Sequence, residues 1–404
     1  MDPAAQVDIT VVIPCLDEEQ AVGSVVQRAW EGIERSGLTG EVVVVDNGST
    51  DGSAEIAERQ GARVVTEPER GYGNAYLAGL ASARGRYIVM GDADETYDFG
   101  TIPEFVRALE NGADMVLGTR LKGRIHASAM PWTHRWIGNP LITGMINLMF
   151  HAKVSDAYCG LRAIRRDALP RLDLRSPGME FALEMVLKAA RTGLVVREIP
   201  IEYHPRRGDS KLSSLSDGWR SVKFILLHSP SYLFFVPAAV VGLPALIGAL
   251  ALATGPVDAF GRTWQFNALC VCVAGVLLGT QIAQLGLVAR TFGAAQLGDP
   301  DPLLSRLYGR FRLEHALVGG TALLGTGIAM LVAVFASWAS DGYGELRHDH
   351  PALVGLALAG LGVQVIFTAF LVSIVGRPVV GLSVPPSEPP AWAHVEDGEP
   401  TLVP

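Results

Sequence analysis

The sequence predicts an α/β domain with a mostly parallel sheet, followed by a membrane region of four helices. In the first half, short β-rich apolar runs alternate with helical patterns, an order typical of βαβ units and a parallel sheet. The second half holds four long apolar runs, each near the roughly 20 residues that cross a bilayer. Because the two halves of this 404-residue chain differ so strongly in composition, a single core is not expected.

The change in composition divides the chain into four predicted segments. These are a cytoplasmic α/β domain at 1–214, a juxtamembrane amphipathic helix at 215–230, a transmembrane domain at 231–376 and a disordered cytoplasmic tail at 377–404. The helix pattern at 215–227 combines polar and apolar faces and is typical of an interfacial helix. The tail is rich in proline and acidic residues.

The strands of the first half end in polar or acidic loops. Strands are predicted at 9–14, 41–45, 62–65, 87–90, 114–117 and 194–199. A helix is predicted to begin at Asp17, and others begin in the loops after the next strands. The carboxyl ends of parallel strands meet at one edge of a sheet, where open α/β sheets bind their ligands. We therefore expect the loop residues to form the functional site.

The central candidate is the pair Asp92 and Asp94, which follows the apolar run at 87–90. Carboxylates one residue apart on an extended backbone point alternately, so one can bind a hard cation while the other orients ribose or a water. This DxD arrangement suits a divalent metal that bridges a nucleoside diphosphate. The alternative is an acidic turn that only caps the next helix.

A second motif opens the helix after the third strand. Gly71 and Gly73 resemble part of a dinucleotide fingerprint, but Tyr76 occupies the place of the third glycine. A dehydrogenase is therefore not favoured. A looser role remains open, in which the helix N-terminus faces a diphosphate.

The four apolar runs predict an integral membrane protein. They cover approximately 232–254, 266–289, 317–336 and 352–375. The short polar start of the chain predicts no signal peptide, and basic residues concentrate before the first run and between the second and third runs. The positive-inside rule then places both termini and the catalytic half in the cytoplasm. A further apolar helix at 141–150 is too short to span, and either the core or the membrane interface would suit it.

Composition also excludes several kinds of partner and site. A net charge of −8, without a basic stripe, argues against nucleic acid. The four cysteines lack ligand spacing with histidine and are expected to be small buried hydrophobic residues. The histidines of the first half are scattered along the sequence, and no metal site is predicted from them. They are His126, His134, His151 and His204.

Six motifs occur in an order that resembles the family-2 glycosyltransferases of GT-A fold, most closely the polyprenyl-phosphate (dolichol-phosphate) sugar synthases. The resemblance covers roughly residues 8–230. The motifs are Val12-Ile13-Pro14 with Asp17-Glu18-Glu19, Val45-Asp46 with Gly48-Ser49-Thr50-Asp51, Gly91-Asp92-Ala93-Asp94, Gly118-Thr119-Arg120, Ser155-Asp156 with Cys159-Gly160-Leu161-Arg162, and Arg206-Arg207-Gly208-Asp209-Ser210-Lys211-Leu212.

The resemblance implies a role for each matching residue. The implied donor-binding residues are Pro14, Asp17, Glu18, Asp46 and Asp92; the metal ligands for Mg²⁺ or Mn²⁺ are Asp92 and Asp94; the catalytic residues are Asp94, Arg120 and Asp156; and the acceptor or phosphate ligands are Arg162, Arg206 and Lys211. Arg120 would contact phosphate, and Asp156 would orient the acceptor or act as a weak base. Leu16, Asp17 and Thr96 depart from the usual pattern, so neither the nucleotide base nor a third metal ligand follows from the motifs.

The implied activity is metal-dependent, inverting transfer of a hexose to a polyprenyl phosphate at the cytoplasmic membrane face. The implied donor is a nucleoside diphosphate sugar of the GDP-mannose or UDP-glucose type, and a homo-oligomer is possible. Two alternatives remain: a non-catalytic membrane scaffold that binds nucleotide sugar or lipid, and a transferase with another membrane acceptor. A processive polysaccharide synthase is less favoured, because its Gln-x-x-Arg-Trp signature is absent from the sequence.

Overall fold

The computed structural model describes residues 7–208, 214–296, 313–344 and 349–376, which belong to two compact units. The first unit ends at Ile225 and the second begins at Leu226. Lys211 and the predicted tail at 377–404 lie outside the described residues.

The first unit is built on a seven-stranded sheet. Its strands are β1 (Ile9–Cys15), β2 (Gly40–Asp46), β3 (Arg63–Thr66), β4 (Tyr87–Met90), β5 (Met115–Ile125), β6 (Arg162–Arg165) and β7 (Val196–Tyr203). The strand order is β3-β2-β1-β4-β6-β5-β7. β6 runs antiparallel to β4 and β5, whereas the other pairings of the described sheet are parallel. The predicted mostly parallel sheet is confirmed.

Helices cover both faces of this sheet. They are α1 (Val22–Ser36), α2 (Ser53–Arg59), α3 (Tyr72–Ser82), α4 (Ile102–Glu110), α5 (Asn139–Phe150), α6 (Phe181–Thr192) and α7 (Ser214–Leu227). Val11 of β1 belongs to the core under α1 and α4, and its neighbour Val12 belongs to the core under α3 and α6. Because both faces are buried, the strands are continuous apolar runs and do not alternate with polar residues.

Two elements differ from the sequence prediction. The helix expected to begin at Asp17 begins at Val22, after a loop that joins it to β1. β5 extends to Ile125, well beyond the predicted end at residue 117, because it continues to pair with β7 after a register shift between Thr119 and Arg124. Arg120 therefore lies within a strand.

The second unit contains the four predicted spans. Its elements are α8 (Val236–Leu252), β8 (Val257–Ala259), β9 (Arg262–Trp264), α9 (Phe266–Gln296), α10 (Leu313–Ser340) and α11 (Asp349–Val375). The helical stretches long and apolar enough to cross a membrane are Ser231–Leu252, Phe266–Ala295, Leu313–Ser340 and Asp349–Val375. The prediction of four spans is confirmed. The β8–β9 hairpin between the first two spans was not predicted.

Glycines bring two of these helices together. A Cβ on Gly327 of α10 would lie 2.5 Å from the backbone nitrogen of Ala359, and one on Gly362 of α11 would lie 2.5 Å from that of Leu324. Small residues allow helix backbones to approach closely in membranes, where packing replaces the hydrophobic effect as the main source of association. We therefore expect α10 and α11 to form a tightly packed pair.

Candidate active site

Acidic side chains collect at the carboxyl ends of β1, β2 and β4, as the sequence predicts. Asp46 is the last residue of β2 and pairs with Cys15 of β1. Asp92 and Asp94 follow β4, which is hydrogen-bonded to β1. The strands therefore present these three carboxylates at one edge of the sheet.

Asp92 is held by two tyrosines of α3. The hydroxyls of Tyr72 and Tyr76 donate to Asp92 Oδ1 at 3.0 and 3.3 Å. The two rings meet edge to face, with centroids 4.9 Å apart, and Tyr76 also stacks on Phe181 of α6. Burial and the neighbouring Asp94 raise the pKa of Asp92 to about 7. A cation beside these carboxylates would offset both effects.

Asp94 is held from two sides. Its Oδ1 accepts hydrogen bonds from the Thr96 hydroxyl at 2.5 Å and from the Thr96 backbone nitrogen at 3.1 Å. Its Oδ2 lies 3.3 Å from Nη1 of Arg206, and Nη2 of Arg206 is paired with Glu18. Arg206 therefore joins the loop after β1 to the loop after β4. Its Nε is buried and has no hydrogen-bond partner among the described residues.

The basic loop after β7 is anchored to the Asp92–Asp94 segment by its backbone. The nitrogen of His204 donates to the Thr96 carbonyl at 3.0 Å, and that of Arg207 donates to the Asp94 carbonyl at 3.1 Å. The side chain of Arg207 lies 3.2 Å from the Glu95 carboxylate. The predicted acceptor residue Arg206 and the predicted metal ligand Asp94 are thus brought into contact.

Arg120 and Asp156, both predicted to be catalytic, form a closed ion pair. Arg120 donates to both carboxylate oxygens of Asp156, at 2.7 and 2.8 Å, and also donates its backbone nitrogen at 3.1 Å. The Arg120 guanidinium also lies over the Tyr203 ring, 5.1 Å from its centroid. Asp156 is 0% exposed. Burial alone would raise the pKa of Asp156, but the charge and hydrogen bonds of Arg120 hold it below its usual value.

This geometry argues against proton acceptance by Asp156 and phosphate contact by Arg120, two of the roles predicted for the pair. A fully buried carboxylate with a lowered pKa, bonded on both oxygens, is unsuited to take a proton from an acceptor. Arg120 is 7% exposed and is already paired, so it is not placed to grip a phosphate. The structure supports a positioning role, in which the pair fixes β5 to the loop before β6.

The surroundings of Arg162 do not suit its predicted role as a phosphate ligand. It is 1% exposed, and its guanidinium donates to the backbone carbonyls of Cys159, Ala182 and Ala157 at 2.7, 2.6 and 2.9 Å. By donating to these three carbonyls, the charged guanidinium holds the chain segments together. We therefore correct Arg162 from an acceptor ligand to a buried structural residue.

Most of the predicted donor-binding residues lie at the carboxyl ends of β1 and β2 or in the loop after β1. Asp17, with a φ of 50°, donates its backbone nitrogen to Ser49 Oγ at 3.0 Å and accepts from the Thr50 nitrogen at 2.7 Å. Asp46 accepts from the Ser49 nitrogen at 3.1 Å. Pro14 lies in β1 and is partly exposed beside Val45. These bonds join the two loops into one wall.

The glycines at the start of α3 have a packing role. A Cβ on Gly73 would lie 1.9 Å from the Ser176 carbonyl oxygen, and one on Gly71 would lie 2.3 Å from that of Pro177. The Asn74 nitrogen donates to this Pro177 carbonyl at 3.1 Å. Because this protein carbonyl lies at the start of α3, the open alternative of a diphosphate at this helix N-terminus is not supported.

Sequence reasoning missed the tyrosines that hold Asp92. Tyr72 and Tyr76 are four residues apart, a spacing that places two side chains on one face of a helix. This spacing was the available signal, although it does not reveal which carboxylate the hydroxyls contact. Thr96 was considered only as a position without the usual metal ligand, and its bonds to Asp94 depend on the local turn.

Comparison with known proteins identifies the family. Residues 10–172 match the family model described as glycosyl transferase family 2, and residues 287–376 match the family 2 C-terminal transmembrane region. The low-salt glycan biosynthesis hexosyltransferase Agl6 of Haloferax volcanii is 37% identical over 91% of this chain and 89% of its own length. The chain belongs to glycosyl transferase family 2. It is a glycosyltransferase with a membrane region, as the resemblance implied.

Two further similar proteins match little more than half of this chain. A dolichyl-phosphate hexose transferase of Haloferax volcanii is 34% identical over 52% of this chain and 89% of its own length. A crystal structure of glucosyl-3-phosphoglycerate synthase from Mycobacterium tuberculosis in complex with Mn²⁺, UDP and glucosyl-3-phosphoglycerate is 24% identical, with a TM-score of 0.46 over 56% of this chain and 80% of that chain.

Proposed function

We propose that this family-2 enzyme transfers a hexose from a nucleoside diphosphate sugar to a polyprenyl phosphate, with catalytic domain and termini in the cytoplasm. The observation that carries the proposal is the contact of Arg206 with Asp94 at the carboxyl edge of the sheet, where an anion-binding cation and a metal-binding carboxylate meet. The four spans supply the membrane setting that a lipid acceptor needs. The similar dolichyl-phosphate hexose transferase supports the same acceptor class.

Asp92 and Asp94 would hold Mg²⁺ or Mn²⁺. Their carboxylate oxygens are the hard ligands that these ions prefer. Burial, and after it the charge of Asp94, raises the pKa of Asp92, and a bound cation would offset both effects. When bound, the ion neutralises the charge of the leaving diphosphate. Pro14, Glu18 and Asp46 remain the proposed walls of the donor pocket.

Arg206 would pass from Glu18 and Asp94 to a substrate phosphate. Its Nε is buried without a partner among the described residues, so a phosphate oxygen would satisfy a donor that the resting structure leaves unused. Arginine binds phosphate through two parallel hydrogen bonds. Lys211 remains a predicted second cation of this loop.

The acceptor requires no strong base. A phosphate monoester has a second pKa of about 6 and is largely dianionic at neutral pH. Its oxygen would attack the anomeric carbon, and the bond to the donor diphosphate would break with its electron pair leaving on the diphosphate oxygen. Direct displacement of this kind inverts the anomeric configuration. The protein mainly has to hold two anions in line, which agrees with the absence of a free proton acceptor at Asp156.

An exposed apolar strip on the first unit also favours a membrane acceptor. Trp132 and Trp136, just before α5, are 66% and 63% exposed, and Leu141 and Leu148 of α5 are 56% and 60% exposed. Ile146 faces the core on the same helix. This amphipathic arrangement favours the interfacial alternative for the 141–150 helix, because tryptophan and leucine at a membrane surface bury apolar area in the headgroup region.

The test is release of nucleoside diphosphate by the purified full-length protein in detergent. The reaction would contain a short polyprenyl phosphate, Mg²⁺ or Mn²⁺, and a panel of GDP- and UDP-sugars. We expect release that depends on the lipid and occurs with one donor, which would also identify the sugar. Nucleotide-sugar binding without release, across the whole panel, would instead favour the non-catalytic scaffold.

A further inference from the structure

Three metal-binding side chains that are scattered in the sequence meet at one end of the sheet. His126 directly follows β5, Glu202 lies near the end of β7, and His204 follows β7. One ligand atom from each residue lies within 4.8 Å of the other two. Sequence reasoning predicted no metal site from these scattered histidines, because their proximity arises only in the folded chain.

The pairing of β5 with β7 explains why the three residues meet. Ile125 is in register with Tyr203, and the His126 nitrogen donates to the Tyr203 carbonyl at 2.9 Å. Side chains alternate along a strand, so Glu202 and His204 share one face while Tyr203 points to the other. Tyr203 contacts Tyr97 and Arg120 on that other face, with the two tyrosine ring centroids 5.4 Å apart. The three ligands therefore lie on the face opposite these contacts.

We propose that His126, Glu202 and His204 form a site for a borderline divalent transition-metal ion such as Zn²⁺ or Co²⁺. The ligand set of two imidazoles and one carboxylate is typical of such ions, whereas Mg²⁺ prefers oxygen ligands alone. It differs in kind from the all-carboxylate pair Asp92 and Asp94. The proposal does not depend on the proposed transferase reaction.

The distances suit a shared ion. Nε2 of His126 and Nε2 of His204 lie 2.8 and 3.9 Å from Oε2 of Glu202. Ligands that bind zinc at about 2.0–2.2 Å are separated by about 3–3.5 Å around the ion, so small side-chain rotations would suffice. The imidazole rings stack with centroids 4.3 Å apart, which places both on the same side of the carboxylate.

The site is accessible and its charge is suitable. The side chains of His126, Glu202 and His204 are 29%, 52% and 34% exposed, so an ion can enter from solvent and keep a water ligand. An exposed glutamate carboxylate is charged at neutral pH. Arg124, which is exposed and in register with Glu202, is an opposing charge that the ion would meet.

The proposal can be tested by Co²⁺ binding to the full-length protein in detergent, after removal of any affinity tag and of bound metal. Excess Mg²⁺ would be present throughout to occupy the Asp92–Asp94 pair. We expect one Co²⁺ to bind per chain, with visible absorption bands characteristic of nitrogen and oxygen ligands, and Zn²⁺ to displace it. No saturable binding by either ion would overturn the proposal and leave a simple ion pair between His126 and Glu202.

Substitution of single ligands identifies the site. His126→Gln, Glu202→Gln and His204→Gln should each weaken Co²⁺ binding by more than the roughly 10- to 100-fold cost of losing an outer-shell partner. His151→Asn is the matched control, because His151 is exposed, has a φ of 56° that asparagine tolerates, and lies outside the cluster. Thermal unfolding without Co²⁺ would verify that each variant is folded. Binding that survives all three substitutions, or is lost in Asp94→Asn, would place the ion elsewhere and reject the proposal.

Discussion

Two ion-pair systems of the same domain have opposite characters. Arg120 and Asp156 are buried and bonded to each other through both carboxylate oxygens, with side chains 8% and 0% exposed. Arg206 bridges Glu18 and Asp94 with its own side chain 24% exposed and its Nε without a partner among the described residues. The first pair is satisfied within the fold, whereas the second keeps an unused hydrogen-bond donor, and we propose that this donor serves the substrate. Burial and remaining hydrogen-bond capacity distinguish the two cases.

The largest expected effect on activity is at Asp94, which is paired with Arg206. Asp94→Asn should reduce lipid-dependent diphosphate release by about 1,000-fold or more, because loss of a metal ligand removes several kcal/mol of charge stabilisation. The fold should survive, since the amide oxygen can still accept from Thr96. Initial rates at saturating Mn²⁺, with unfolding measured in parallel, check both statements. Undiminished turnover would reject Asp94 as a metal ligand.

Disruption of the buried Arg120–Asp156 pair should lower the stability of the fold. Asp156→Asn leaves the Arg120 charge buried without its partner and should lower the free energy of unfolding by about 3–5 kcal/mol. Asp167→Asn is the control, because Asp167 is paired with Arg165 at the surface and exposed pairs contribute about 0–1 kcal/mol. Denaturant unfolding of the two variants measures the contrast. Equal stability losses would contradict the structural role assigned to Asp156.

Arg206→Gln should have a smaller effect on rate. Loss of a hydrogen bond to a charged group costs about 1.5–3 kcal/mol, so kcat/KM for the lipid acceptor should fall roughly 10- to 150-fold. Arg207→Gln provides the comparison, since the Arg207 side chain is 58% exposed and pairs with Glu95. If the two variants lose activity equally, Arg206 has no special role at the phosphate.

The smallest expected effect is a shift in thermal stability at Asp92. Its folded pKa of about 7 exceeds the ordinary value of 3.8, so the folded state keeps a proton that the unfolded state has lost. Stability from this group is therefore present below 3.8 and is lost as pH rises through about 7. Without divalent cations, Asp92→Asn should melt a few degrees above the parent protein at alkaline pH and match it in acid. Thermal unfolding of both proteins from acid to alkaline pH measures this shift. A difference in melting temperature that does not change with pH would contradict the prediction.

The sequence was sufficient for elements defined by local pattern. Apolar runs located the spans, and the acidic ends of β2 and β4 located the candidate metal site. The burial of Arg162 and Asp156 was not predicted, because a motif gives chain order and residue type, whereas burial depends on segments distant in sequence. The same limit concealed His126 and His204, which meet only through the pairing of β5 with β7. Tertiary register cannot be read from spacing alone.

The basic loop is fastened at two points, with Pro205 and Arg206 between them. The hydrogen bonds from His204 to Thr96 and from Arg207 to Asp94 fix the backbone on either side of Arg206. Its side chain can therefore leave Glu18 by rotation about its own bonds while the backbone stays in place. Collective backbone movements take microseconds to milliseconds. Exchange of the guanidinium between protein and substrate would therefore not have to wait for such a movement.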